Sequence, residues 1–198
     1  ILLIPALVFS LSFHEFAHAW MAYRLGDDTA ARLGRLTLNP MAHLDPVGSI
    51  ALLLMGFGWA KPVPVDTRHL NNPRDDMVKV AAAGPLSNLL LAVLSAISLR
   101  ILLTGGFLSP DLKTFLIIFM QINITLAVFN LLPISPLDGS QILTPFIEKH
   151  FGSHMVFKME VYGPRVLFFV IIFSMVTGIH IFSLVITPIF NFFLFIFF

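Results

Sequence analysis

The chain predicts an all-α membrane protein of about four transmembrane helices, with small strand-like or re-entrant elements between the first two. Three observations carry that prediction. Of its 198 residues, 57% are apolar and only 12% charged, and the mean hydropathy is +0.90, far from a soluble domain. Four predominantly apolar runs approach the roughly 20 residues needed to cross a bilayer. Ten of the twelve Lys and Arg residues fall on one side of those runs. The length suits a single domain over residues 1–198. A net charge of +1 gives no basic field for nucleic acid, and the apolar composition makes the lipid bilayer the expected partner. The absence of cysteine excludes disulfides and thiolate metal sites, leaving His, Asp and Glu as metal ligands.

The first span covers about 1–23. It has neither a basic start nor a small-residue cleavage site, so it reads as a membrane helix and not a signal peptide. Between it and the next span, residues 33–38 and 59–65 read as short strands with edge character. Residues 47–55 are apolar but too short to span, so they read as re-entrant or interfacial. The second span covers about 80–103, the third about 115–132 and the last about 166–190, with a Phe-rich tail after it. Arg24, Arg32, Arg35, Lys61, Arg68, Arg74, Lys79, Lys149, Lys158 and Arg165 lie on one side; Arg100 and Lys113 flank the opposite loop. The cation-rich side is expected to be cytoplasmic.

His14-Glu15-Phe16-Ala17-His18 lies inside the first span. Residues four apart share a helical face, so two imidazoles can grip one metal with a glutamate close by to move a proton. Three ionisable groups in an apolar helix are costly and point to function. A catalytic zinc takes three protein ligands and keeps one position open. Asp138 is the strongest candidate for the third, at the break after the third span, where Pro133 and Pro136 end the helix and Gly139 frees the turn. Zn²⁺, two neutral imidazoles, one carboxylate and one hydroxide sum to zero charge, which is far cheaper to bury than a net charge. The competing reading of Asp138 is a helix N-cap.

Further motifs stand in order: Leu25-Gly26-Asp27, then Asn39-Pro40-x-x-His43-Leu44-Asp45-Pro46-x-Gly48, Ala83-Gly84-Pro85-x-x-Asn88, and N-x-x-P-x-x-P-L-D-G from Asn130 to Gly139. Together with the first motif they resemble the site-2 protease family of intramembrane metalloproteases, over about residues 10–145. That resemblance implies one zinc per chain held by His14, His18 and Asp138, with Glu15 as general base and Asn130 helping to hold substrate or oxyanion. It implies an integral membrane protein of a bacterial or archaeal cell, cleaving transmembrane protein or peptide substrates. Because the motif lies toward the cation-rich end of the first span, the site is expected to open to the cytoplasm. No PDZ or CBS module is expected, because the loop at 104–114 is too short for a PDZ insertion.

Plainer roles compete at several positions. Asn130 would equally satisfy backbone freed near Pro133, and Asn88 reads as an interhelical hydrogen-bonder. Gly84-Pro85 reads as a kink or close-packing site. His43 and Asp45 are either partners of the metal ligands or loop-turn residues. His69, His150 and His154 read as solvated, as do Asp27, Asp28, Asp75 and Asp76. His180 reads as an interhelical hydrogen-bonder. Two rivals remain: a non-catalytic metal- or client-binding protein of the same fold, against which Glu15 argues, and a metal transporter, against which the nearly acid-free second and fourth spans argue.

Overall fold

The computed structural model describes residues 3–55, 58–106, 108–179 and 181–197. His180 lies outside them. The order is α1 (Leu3–Arg24), α2 (Thr29–Arg32), α3 (Pro40–His43), α4 (Pro46–Met55), a 3-10 turn (Thr67–His69), α5 (Pro73–Gly105), α6 (Pro110–Asn130), α7 (Asp138–Phe151), α8 (Ser153–Thr177) and α9 (Ser183–Phe197). Three of these, α5, α6 and α8, are long and apolar enough to cross a membrane. The first helix has the length, with 22 residues, but His14, Glu15 and His18 dilute its apolar character.

Helix α5 is the hub, packing against α1, α6 and α7. Small residues allow the close approach: Ala19 and Ala22 of α1, and Ala92 and Ala96 of α5, are fully buried. Ala92 and Ala96 pack with Met120, Ile124 and Val128 of α6, and α9 lays Ile186, Phe190 and Phe193 against that cluster. Phe182 stacks edge-on against Phe129, and Arg100 donates to the Phe197 carbonyl at 3.1 Å. Helix α9 therefore runs antiparallel to α6.

Two expectations about the elements need correction. No strand forms among the described residues; Leu44 and Ala60 make one isolated bridge. Around it Lys61 donates to the His43 carbonyl at 2.8 Å, but Pro62 and Pro64 have no N–H to extend a ladder. Residues 33–38 likewise form turns, not a strand. Residues 47–55 fall in α4, whose ten residues are too few to span. The last span is also not one helix over 166–190. Helix α8 stops at Gly178, which takes a left-handed φ of +71° as its C-cap, and α9 starts anew at Ser183.

Asp27 and Asp76 are not solvated but buried, at 0% and 1% exposure. Asp76 accepts from the Asn72 amide at 2.8 Å and pairs with Lys79. Asp27 accepts from the amides of Thr29 (3.0 Å) and Asp66 (2.8 Å), tying the end of α1 to the segment before α5. Burial by itself raises the Asp27 pKa, but the Thr29 and Asp66 hydrogen bonds outweigh it and hold the carboxyl below its ordinary value. Because the folded value is depressed, Asp27 stabilises the fold above the unfolded carboxylate pKa, and that contribution fades as pH falls through the folded value. Asp27→Asn should cost about 1–3 kcal/mol near neutrality. Thermal unfolding in detergent should show a smaller difference between pH 7 and pH 3 for this variant than for wild type; equal differences would contradict the assignment.

Candidate metal centre

The helical repeat brings His14 and His18 of α1 onto one face, with ring centroids 4.6 Å apart and rings nearly perpendicular. One face of α5 meets them with Val80, Gly84 and Asn88, spaced four apart. Asn88 Oδ1 lies 2.6 Å from His14 Nδ1, and the Val80 carbonyl 2.8 Å from His18 Nδ1. Asn88 is oriented in turn, since its Nδ2 donates to the Ser10 carbonyl (3.3 Å) and to Asn123 Oδ1 (2.9 Å). Asn123 donates to Ser10 Oγ and to the Phe119 carbonyl, both at 2.8 Å. Because the Ser10 and Phe119 carbonyls only accept, they fix which way both amides point.

This network decides the imidazole tautomers. Each Nδ1 faces an oxygen acceptor and so carries the proton, leaving each neutral ring with a lone pair on Nε2. Those two Nε2 atoms lie 3.0 Å apart. Asp138, the first residue of α7, places Oδ2 at 3.2 Å from His14 Nε2 and 3.4 Å from His18 Nε2. That oxygen is buried and, among the described residues, has no hydrogen-bond partner. Three acceptors thus converge, which repel one another unless a cation sits among them. A charge-assisted N–H···O contact would be shorter, about 2.7–2.9 Å. The spacing instead suits ligands on a tetrahedron with arms of about 2.0 Å, whose edges are about 3.3 Å. The donors present fit a divalent zinc-type metal.

Gly84 supplies the space. A Cβ there would overlap His18 Nε2 and lie 2.6 Å from His14 Nε2. This is the close-packing role read from the sequence, applied to the two candidate ligands themselves. Asp138 is not an N-cap; Leu137 holds that position, and the carboxylate enjoys the positive end of α7 while facing the histidines.

The remaining site candidates separate. Glu15 accepts from the Val63 amide at 3.0 Å, which sets its carboxylate against the extended segment before the 3-10 turn. Asn130 donates to the Leu126 carbonyl one turn back at 2.9 Å; among the described residues no hydrogen bond joins it to the histidines. His43 is buried and engaged at both ring nitrogens, with the Thr37 carbonyl at 2.7 Å and Arg35 at 3.4 Å. Asp45 accepts from the Gly48 amide at 2.7 Å. His43 ends the short helix α3 and Asp45 sits in the turn before α4, both pinning the local backbone. Val80, Asn123 and Ser10 escaped sequence reasoning; Val80 acts through its backbone, which no side-chain pattern reveals.

A sequence model of the family described as Peptidase family M50 matches residues 2–109 and 104–174. "Putative zinc metalloprotease YwhC" of Bacillus subtilis is 44% identical over 166 residues, covering 81% of this chain and 75% of that protein. "Putative zinc metalloprotease Rip2" of Mycolicibacterium smegmatis is 36% identical over 155 residues, 74% of this chain and 58% of that protein. "Putative zinc metalloprotease MJ0611" of Methanocaldococcus jannaschii is 33% identical over 138 residues, 68% of this chain and 66% of that protein. The chain thus spans little more than half the length of the mycobacterial relative. No solved structure matches it.

Asn88→Ala frees the His14 ring and should weaken metal binding about 10–100-fold. Gly84→Ala should abolish stoichiometric metal outright while the helical circular dichroism persists. Metal analysis of the purified proteins checks both, and full occupancy in Gly84→Ala would refute the geometry.

Proposed function

The chain belongs to peptidase family M50, the site-2 protease family, and from that premise we propose that it is a zinc endopeptidase cleaving peptide bonds in or near transmembrane segments. The observation that carries the reading is the convergence of His14 Nε2, His18 Nε2 and the unpartnered Asp138 Oδ2 inside an apolar helix bundle. In this reading His14, His18 and Asp138 hold one zinc. Bound there, zinc supplies a water acidified to a pKa of about 7 and polarises the scissile carbonyl.

The protein's own residues do the rest. Glu15 takes the proton of the attacking water and returns it to the leaving amine. Its hydrogen bond from Val63 keeps the carboxylate beside the motif between turnovers. Asn88 and the Val80 carbonyl hold both Nδ1 protons, so the Nε2 lone pairs stay aimed at the metal. Asn130 is assigned to substrate or oxyanion holding on resemblance, which requires it to leave the Leu126 carbonyl. The extended segment around Pro62 and Pro64 offers carbonyls but no amides on its proline edge, so it can receive hydrogen bonds from an unwound peptide without returning them.

We read α1 as a fourth span beside α5, α6 and α8, the whole forming one membrane domain over 1–198. The cation-rich side would face the cytoplasm. Trp20 and Tyr23, half exposed at the end of α1 with Arg24 over the Trp20 ring, fit a membrane–water boundary there.

Zinc analysis of detergent-purified protein should give about one metal per chain in wild type and Glu15→Gln, and a large loss in His14→Ala and Asp138→Ala. Cleavage of a reconstituted transmembrane reporter should be lost in Glu15→Gln by at least about 10²-fold. Zinc-loaded wild type that cuts no peptide would leave the non-catalytic reading standing instead.

A further inference from the structure

Between the first half of α1 and residues 118–126 of α6 lies a groove of about 260 Å³, lined by Leu3, Leu7, Ile122, Leu126, Gln121 and Thr125 among others. It is apolar except for the last two. Gln121 is near the middle of α6, where a lipid-facing amide is most costly. The side-chain hydrogen bonds of this stretch of α6 belong to Asn123 and Asn130; among the described residues Gln121 and Thr125 have none. Two unpartnered hydrogen-bonding groups one helical turn apart therefore face the membrane from inside a cleft.

The groove is aligned with the metal centre. Leu3, Leu7, His14 and His18 are spaced four, seven and four residues apart, so they form a single stripe along α1. Leu7 precedes His14 by about 10 Å along the helix axis. Ser10, between them on that stripe, receives the Asn123 hydrogen bond from α6.

We propose that this groove docks the transmembrane helix of the substrate, and that Gln121 and Thr125 select a helix carrying a hydrogen-bonding residue at their depth. The inference rests on the protease reading for what is docked. An acyl chain fills such a cleft equally well but leaves the amide and hydroxyl unpaired, whereas a polar residue on a neighbouring helix satisfies them. The alignment then presents the next turns of that helix to the ligand face of α1.

The test uses the zinc-loaded Glu15→Gln protein in phosphatidylcholine–phosphatidylglycerol vesicles, with benzoylphenylalanine at Leu3 on the groove rim. The probes are a leucine-rich transmembrane peptide bearing one central asparagine and its all-leucine counterpart. Crosslinking should favour the asparagine peptide several-fold. Gln121→Leu and Thr125→Val should each weaken its capture about threefold, with zinc content unchanged. Equal capture of both peptides, insensitivity to both substitutions, or crosslinks confined to lipid or to the chain itself would overturn the proposal. Zinc-loaded wild type assayed in parallel separates the two readings. Selective capture by Glu15→Gln with no cleavage by wild type would sustain the groove and sink the protease reading, and wild-type cleavage without selective capture would do the reverse.

Discussion

Three hydrogen-bond acceptors are held face to face in a largely apolar interior, and most of the arrangement around them answers to that constraint. Both imidazoles must keep their protons on the far side, which requires an acceptor behind each ring: the Asn88 amide for His14 and the Val80 carbonyl for His18. Asn88 must not rotate, so Ser10 and Asn123 occupy its other end. The rings must sit tightly against α5, so the residue between Val80 and Asn88 has no side chain. One face of α5 therefore supplies a carbonyl, a gap and an amide at successive turns. Substituting Gly84 or Asn88 alters the same few atoms, whereas the Val80 carbonyl persists whatever side chain stands there.

How much of this was legible in the sequence follows from how local each feature is. His14, Glu15 and His18 were readable because a single helical turn carries their relation. Asp138 needed long-range information, since its partners lie more than a hundred residues away; resemblance supplied what spacing alone left open between ligand and cap. Asn88 was read as an interhelical hydrogen-bonder, and it is one, but that its partner is a candidate metal ligand depends on how α1 meets α5. Asp27 and Asp76 were misread as solvated because acidic pairs beside turns usually are. Nothing in the local pattern records that backbone amides of Asp66 and Asn72 point at them.

The misread strands and the misread final span have a common origin. Alternating and apolar patterns describe which side chains prefer burial, but not whether the backbone can satisfy itself. Pro62 and Pro64 remove the donors a ladder needs, and Gly178 supplies a helix stop inside an otherwise continuous apolar run. The loop after α1 instead uses His43, Arg35 and Asp45 to pin its turns, which explains why polar residues flanking a metal motif need not belong to it.

The anchoring of α1 has a geometric consequence. Its charged end is clamped where Asp27 receives the Asp66 amide and the Leu25 carbonyl receives the Asn71 amide. From Arg24 back to His18 and His14 the helix rises about 9 and 15 Å. The clamp ties that end to the segment leading into α5, so His14 and His18 keep a fixed height relative to the rest of the bundle. On the proposed protease reading that fixed height acts as a depth gauge: the bond a membrane-crossing peptide presents to the histidines is set by its vertical registry against α1, and a shift of one helical turn in that peptide moves a different bond to the same height.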